Sequence, residues 1–375
     1  MQPLPSALPG RTQAREAGRP RSRCPFLFRF GIFVRVCDGL QMRIAASSYA
    51  LPRRSVPAAE VMEEEAGRVA EALRPLSAAL RRRVCEQLGI ARVRVCEGDS
   101  PYPLALEAAS SAMARAGIKP CEIDLVIDFS TLPGEGGRYV SFAHQIAAQI
   151  GVETAVVLSY KVGGCAGFHV AVKTAHSLMQ ADEGLRTALI MAADSPPRGS
   201  RTLLPVSIQG DAGSAAVLRR DGGAGAHVLG TALTTVAALH EVISFVEEPV
   251  AGGVRRTIRV DSARIENEVM PIYYLHFYRL VHELLKKHSI RLDDVDHFIY
   301  SNISRPDQEG FVRALGIAPE KVYCENLADH GHTFASDLLM NYTDLMELKR
   351  IREGQTLLFA SAGIGFTWGV TLART

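Results

Sequence analysis

The stretches "AGIKPCEIDLVIDFS" (116–130) and "HSIRLDDVDHFIYSN" (288–302) follow one plan. Each leaves a helix, turns through an isoleucine and reaches an acidic position, Glu122 or Asp294. Each then runs through an apolar residue and an aspartate into a buried strand. The segments "GDAGSAAVL" (210–218) and "GFTWGVTL" (365–372) echo each other in the same order. One matched pair could be two generic helix–turn–strand units. Two pairs in the same order indicate one large duplication, hence two similar halves and not a solenoid.

The elements between these anchors alternate. Helices are expected over 58–73, 76–88, 102–118 (ending at Gly117), 141–150, 165–181, 265–287, 306–315 and 334–349. Strands are expected from Met42 and over 123–130, 154–160, 187–194, 297–302, 355–362 and 366–372, with "GDAGSAAVLRR" and "AHVLGTALTTV" as adjacent strands. Such alternation predicts a layered α/β fold with buried central sheets. Its halves would be 42–222 and 223–375. Residues 1–41 carry seven arginines and few acids, and the apolar run there is broken by Arg29 and Arg35. They read as a disordered or mis-assigned extension, with an Arg-rich transit peptide as the alternative.

Composition narrows the partners. The net charge is +2, from 42 basic and 40 acidic residues, so no global field draws nucleic acid or an anionic membrane. No run of eighteen apolar residues predicts a membrane span. The seven cysteines have no C-x-x-C spacing, which fits a reduced, cytoplasmic chain and not a disulfide framework or a metal site.

One of those cysteines stands apart. In "KVGGCAGFHV" (161–170), Cys165 lies between glycines where a strand gives way to a helix. Gly164 and Gly167 permit a tight corner there. The corner puts the sulfur at a helix N-terminus, which favours thiolate, and offers the Cys165 N–H as an oxyanion donor. The other cysteines read as inert small hydrophobes. A nucleophile needs a base, and "ADHGHTFASD" (328–337) offers His330 and His332 in a polar glycine turn. His169, one helical turn beyond Cys165, reads as a packing residue.

An α/β-hydrolase elbow would explain the cysteine, but not the duplication or the terminal "GIGFTWG". From about Met42 to its end the chain resembles the β-ketoacyl-acyl-carrier-protein synthase III family. The resemblance rests on "LALEAASSAMARAGI", "GGCAGFHVAVKTA", "GDAGSAAVL", "HGHT" and "GIGFTWGVTL", in the family's order and spacing. It implies a thiolase-like fold, with two pseudo-repeated βαβαβ halves in five αβαβα layers, and usually a homodimer. It implies acyl transfer through an acyl-cysteine, with acyl-CoA or acyl-carrier protein as substrate and no cofactor. Fatty-acid-like or secondary-metabolite biosynthesis would be its setting.

The resemblance also assigns positions, and there the chain departs. Cys165 matches the family nucleophile. The family's histidine falls at Ser301, beside Asn302, and the family's asparagine falls at His332. Ile364, in "AGIG", would supply the second oxyanion N–H. Tyr139 falls where the family lines its acyl tunnel. No Trp stands at the entrance to stack an adenine, although Arg81, Arg82, Arg83, Arg92 and Arg94 remain. Arg82 and Arg92 are candidate contacts for the donor, the alternative being a solvated helix face. Decarboxylative condensation needs two donors on the enolate oxygen, and the Ser301–His332 exchange alters that pair. The leading expectation is therefore an acyltransferase with Cys165 as nucleophile and His332 as base, passing the acyl group to an O, N or S nucleophile. Condensation with a malonyl thioester, His332 sharing the donor role with Ser301 or Asn302, is the second. A weakly active subunit of a heterodimeric synthase is the third.

Overall fold

The computed structural model describes residues 40–66, 77–98, 100–132, 142–160, 164–197, 199–220, 223–250 and 253–375. The expectations placed on residues 1–39 and on Tyr139, and the end of the 58–73 helix, lie outside the described residues.

Ten strands carry the architecture. The first half contributes β1 (Met42–Ala50), β2 (Leu125–Asp128), β3 (Val156–Ser159), β4 (Thr187–Asp194) and β5 (Ala212–Arg220). The second contributes β6 (Ala226–Thr235), β7 (His297–Tyr300), β8 (Val322–Tyr323), β9 (Thr356–Gly363) and β10 (Thr367–Arg374). The spatial order is β1-β5-β4-β2-β3 in one and β6-β10-β9-β7-β8 in the other, the same order twice. Strand directions repeat as well: β2 runs parallel to β3 and β4, as β7 does to β8 and β9. The remaining pairs within each half are antiparallel. A short antiparallel contact between β1 and β6, at Arg43–His227 and Ile44–Ala226, joins the two sets into one sheet. The strands β5 and β6, expected to be adjacent, are thus separated by β1. The first described strand enters between them, pairing along its length with β5 and at two positions with β6.

The repeated motif does the same work in both halves. Asp124 accepts the amides of Arg186 and Thr187 at 2.8 and 2.9 Å, which fixes the start of β4 beside β2. Asp296 accepts the Thr356 amide at 2.8 Å and fixes the start of β9 beside β7. Each aspartate follows a 3-10 turn, Pro120–Glu122 or Leu292–Asp294.

The helices fill the layers between and outside these sheets. On the outer face of the first half lie α1 (Tyr102–Ala116) and α2 (Phe142–Gln149); Gly117, at φ 63°, ends α1 in the left-handed conformation that glycine adopts without strain. In the middle lie α3 (Gly167–Ala181) and α6 (Asp337–Glu347), which touch strands of both halves. Outside the second half lie α4 (Met270–Lys287) and α5 (Arg305–Leu315). The result is the expected five-layer αβαβα arrangement.

The strand sequences show why. A strand buried on both faces reads as a continuous apolar run whose alternate residues face opposite layers. In β4, Ala188, Ile190 and Ala192 face the middle core, while Leu189, Met191 and Ala193 face the α1–α2 core. In β9, Leu357 and Phe359 face the middle, while Leu358, Ala360 and Ala362 face the α4–α5 core.

Three features depart from the expected elements. Leu40 is buried in the middle core, so the packed chain includes residues before Met42. A hairpin, Ile243–Val250 with Gly253–Val260, stands where no element was expected. The helix placed at 265–287 starts at Ser262 and passes through a π-helical segment, Ile265–Val269, before α4.

The middle layer tests the architecture. Phe168 is fully buried, its ring 6.4 Å from Phe129 of the first half and 5.2 Å from Phe359 of the second. Phe168→Ala should lower unfolding stability by about 3–5 kcal/mol, read from the denaturant midpoint. A loss below about 1 kcal/mol, the cost of an exposed substitution, would show that the two halves do not share this core.

Candidate active site

Glycines bring the segments of the site together. Cys165 sits in a 3-10 turn, Gly164–Ala166, directly before α3. Gly164 has φ +51°, and a Cβ there would lie 2.5 Å from the Ile364 amide nitrogen. Only glycine therefore lets the Gly363–Ile364 turn of the second half close over the cysteine. Ser361 of β9 donates its hydroxyl to the Cys165 carbonyl at 3.0 Å. The histidine turn is placed from the first half: the His332 amide donates to Ile208 at 3.1 Å, and the Gly210 amide donates to His332 at 3.0 Å. Gly331, at φ +66°, would set a Cβ 2.5 Å from the Ile208 carbonyl oxygen.

These pins put His332 Nε2 3.3 Å from Cys165 Sγ. On its other side, His332 Nδ1 donates to Asp337 Oδ2 at 2.6 Å, which leaves Nε2 facing the sulfur. Asp337, the first residue of α6, is fully buried and fully satisfied. It also accepts the Asn302 amide at 2.7 Å, the Thr333 amide at 2.7 Å and the Thr333 hydroxyl at 2.6 Å. Burial alone would push the His332 pKa down. The Asp337 carboxylate and the Cys165 sulfur outweigh it and hold His332 well above the ordinary histidine value. A cysteine, a histidine and an orienting carboxylate in this order can attack a thioester and shuttle a proton. Asp337 was missed in the sequence. Its only signal was its place five residues after His332, where an aspartate opening a helix reads as a cap.

A cavity of about 550 Å³ opens onto Cys165 and His332. Its wall is mostly apolar, and the π-helical segment contributes Ile265, Glu266 and Val269 to it. Ile364 also lies on this wall.

Several other expected residues lie elsewhere. Ser301 is buried at the end of β7, off the cavity wall, and its hydroxyl has no hydrogen-bond partner among the described residues. The Asn302 side chain points away as well: its amide nitrogen donates to Asn326 at 2.7 Å and to Asn341 at 3.1 Å. Its tie to the site is the backbone N–H held by Asp337, so the expected side-chain donor pair is not formed. Arg82 is exposed on the helix Ala78–Leu88. Arg92 is turned onto Ser55, with its Nε 2.8 Å from the hydroxyl. Neither lines the cavity. His330 does not line the cavity. His169 is fully buried, hydrogen-bonded to Thr371 at 2.7 Å, and burial drives its pKa down to about 3.

Residues 162–237 match the 3-oxoacyl-[acyl-carrier-protein] synthase III family profile, and residues 285–375 match the profile of its C-terminal portion. Over these two segments the chain is similar to the synthase III family. The β-ketoacyl-[acyl-carrier-protein] synthase III of Rhodospirillum rubrum is 29% identical over 300 residues, covering 77% of this chain and 89% of the relative. Among solved structures, the 3-oxoacyl-[acyl-carrier-protein] synthase III of Aquifex aeolicus superposes with a TM-score of 0.72 at 20% identity, covering 90% of this chain and 100% of that one. Xanthomonas campestris OleA, solved with lauric acid and lauroyl-CoA, gives 0.70 at 15% identity over 89% and 99% of the two chains. The synthase III family consists of acyl-transferring condensing enzymes, and by this likeness the chain is an acyl-transferring enzyme.

The Asp337 charge dominates the upward pull on His332. Asp337→Asn should lower the His332 midpoint by roughly one to three pH units, followed by NMR of the imidazole. The wild-type imidazole would then stay protonated to higher pH than the variant's. An unmoved midpoint would show that the carboxylate does not set the charge of this histidine.

Proposed function

We propose that the protein moves an acyl group from a CoA or carrier-protein thioester through an acyl-Cys165 intermediate to an oxygen, nitrogen or sulfur nucleophile. The reading is carried by the Cys165–His332–Asp337 chain of contacts at 3.3 and 2.6 Å. In the first step Sγ attacks the thioester carbonyl, the donor's C–S bond breaks, and His332 protonates the departing thiol. In the second, His332 Nε2 takes the acceptor's proton as the acceptor attacks the acyl carbon. The bond to Cys165 breaks, and the proton passes to Sγ. Amides of Cys165 and Ile364 stabilise the oxyanion in both steps. Condensation is the weaker reading, because the side chain of Asn302 is committed to Asn326 and Asn341 and Ser301 lies off the cavity wall.

A homodimer is part of the proposal. The strand β3 is the outer edge of its half, has the apolar sequence Val-Val-Leu-Ser, and leaves Val156 45% exposed. An exposed apolar edge of this kind invites pairing with a second copy. No helix among the described residues is long and apolar enough to cross a membrane. The five described cysteines are all free, which supports a reducing, cytoplasmic setting.

His332→Asn separates the two chemistries. Acylation of Cys165 should persist, and transfer to alcohols or amines should fall by roughly two to four orders of magnitude, so acyl-enzyme accumulates by intact mass. Cys165→Ala, the control, should take up no acyl mass. If the Asn variant instead condenses with malonyl thioester as well as the wild type does, the donor reading of position 332 replaces the base.

For the dimer, sedimentation velocity should give a two-chain species that Val156→Asp converts to monomer. A variant that stays dimeric would move the interface away from β3.

A further inference from the structure

Beside His332 stands a polar side chain that the proposed steps do not use. Gln209 forms a parallel β-bridge with His332. The bridge is closed by the Gly210 amide on the His332 carbonyl at 3.0 Å and the His332 amide on the Ile208 carbonyl at 3.1 Å. Residues paired in this way sit roughly 5 Å apart and project to the same side. Both residues line the cavity that opens onto Cys165. Gln209 is pinned on its other edge as well, its backbone amide donating to the Arg201 carbonyl at 2.8 Å.

The end of this side chain is unused. Gln209 is 1% exposed, and its Oε1 is buried with no hydrogen-bond partner among the described residues. Its Nε2 makes no hydrogen bond to them either, but it is not sealed in, which leaves the N–H end open to the cavity. Ser207, on the same wall, is already committed, its hydroxyl donating to the Ile303 carbonyl at 2.6 Å. A buried amide without partners is unfavourable unless a ligand supplies one.

An acceptor that gives its proton to His332 Nε2 lies within reach of the neighbouring Gln209 Nε2. The lone pairs on the attacking atom then decide what fits. An alcohol oxygen has two lone pairs. One attacks the acyl carbon, the other accepts the Gln209 N–H, and the hydroxyl hydrogen faces His332. An amine nitrogen has a single lone pair, so accepting from Gln209 removes the nucleophile. A thiol sulfur accepts hydrogen bonds weakly. We infer that Gln209 is a specificity-determining residue for the acceptor, and that the acceptor is a hydroxyl compound. As the new C–O bond forms, the C–S bond to Cys165 breaks. The hydroxyl proton passes through His332 Nε2 to Sγ, and the product is an oxygen ester. This inference rests on the acyl-transfer reading and narrows its acceptor to oxygen.

The test uses the full chain and simple probes. Cys165 is loaded from an acyl thioester and discharged with a primary alcohol, amine or thiol of one carbon chain. Each rate is divided by that probe's own attack on a free thioester, which removes intrinsic reactivity. The wild-type enhancement should be largest for the alcohol, by roughly 10-fold or more, the factor expected from one well-made hydrogen bond. Gln209→Met, of similar volume and without the donor, should cut the alcohol enhancement by roughly 5- to 10-fold and leave the other two within about twofold.

A larger enhancement for the amine or the thiol would overturn the inference. So would an equal fall for all three probes in the Met variant, or a fall confined to loading, which would assign Gln209 to the donor. If circular dichroism shows the Met variant misfolded, the wild-type order decides alone. Discharge by none of the probes would overturn the acyl-transfer reading and this inference with it. Discharge led by the amine or thiol would overturn this inference and leave that reading standing.

Discussion

Much of the site's structure depends on one carboxylate. Asp337 accepts four hydrogen bonds, from His332 Nδ1, the Asn302 and Thr333 amides and the Thr333 hydroxyl. Those donors come from the end of β7 and the histidine turn, while the carboxylate itself starts α6. A buried carboxylate with every lone pair used holds each donor in place. It therefore fixes the tautomer and direction of His332 and joins strand, turn and helix with the same contacts. Such a group is structural and functional at once, because its charge is what lets a buried imidazole bind a proton.

The site lies where the two halves meet, and close backbone approach is what allows this. Gly164 of the first half faces the Ile364 amide of the second, and a Cβ on Gly210 would lie 2.2 Å from the His330 carbonyl oxygen. Farther in, Gly369 of β10 leaves room for the His169 ring of α3. Cysteine and histidine thus come from opposite halves, and the duplication creates the seam along which they meet. Phe334, next to His332, has φ +57° and packs with Cys165 and Leu132. A bulky residue in that conformation is held by its surroundings, and such local strain is typical beside reactive groups.

The layered fold was legible because its strands are buried on both sides. Runs such as "TALIMAAD" and "LVID" have no polar face and so read as central strands. The duplication was legible because Asp124 and Asp296 perform the same anchoring task at the same place in each half. Less legible was anything settled by long-range pairing. The insertion of β1 between β5 and β6 leaves no local trace, and the hairpin at 243–260 has neither a two-residue Asn-Gly type turn nor strict alternation. In the site, Cys165 showed through its glycines and His332 through its polar turn. Asp337 was hidden because an acid opening a helix has an ordinary explanation. Asn302 misled for the complementary reason: its side chain completes an asparagine cluster, and only its backbone serves the site.

The arrangement also orders the proton transfers. In the free enzyme two negative or polarisable neighbours, Asp337 and the Cys165 sulfur, raise the proton affinity of His332. In the proposed reaction, acylation turns that sulfur into a neutral thioester and removes one of the two. Asp337 remains, so the imidazole keeps its tautomer, yet it binds its proton less tightly than before. A group that begins, in the proposed reaction, as the acid for the departing thiol is thereby moved toward the base an incoming nucleophile requires. An asparagine at 332 could not make that change, since an amide does not exchange roles between donor and base near neutral pH. On the proposed reading, the histidine at this position, backed by a carboxylate, serves transfer to a protic acceptor and not stabilisation of an enolate.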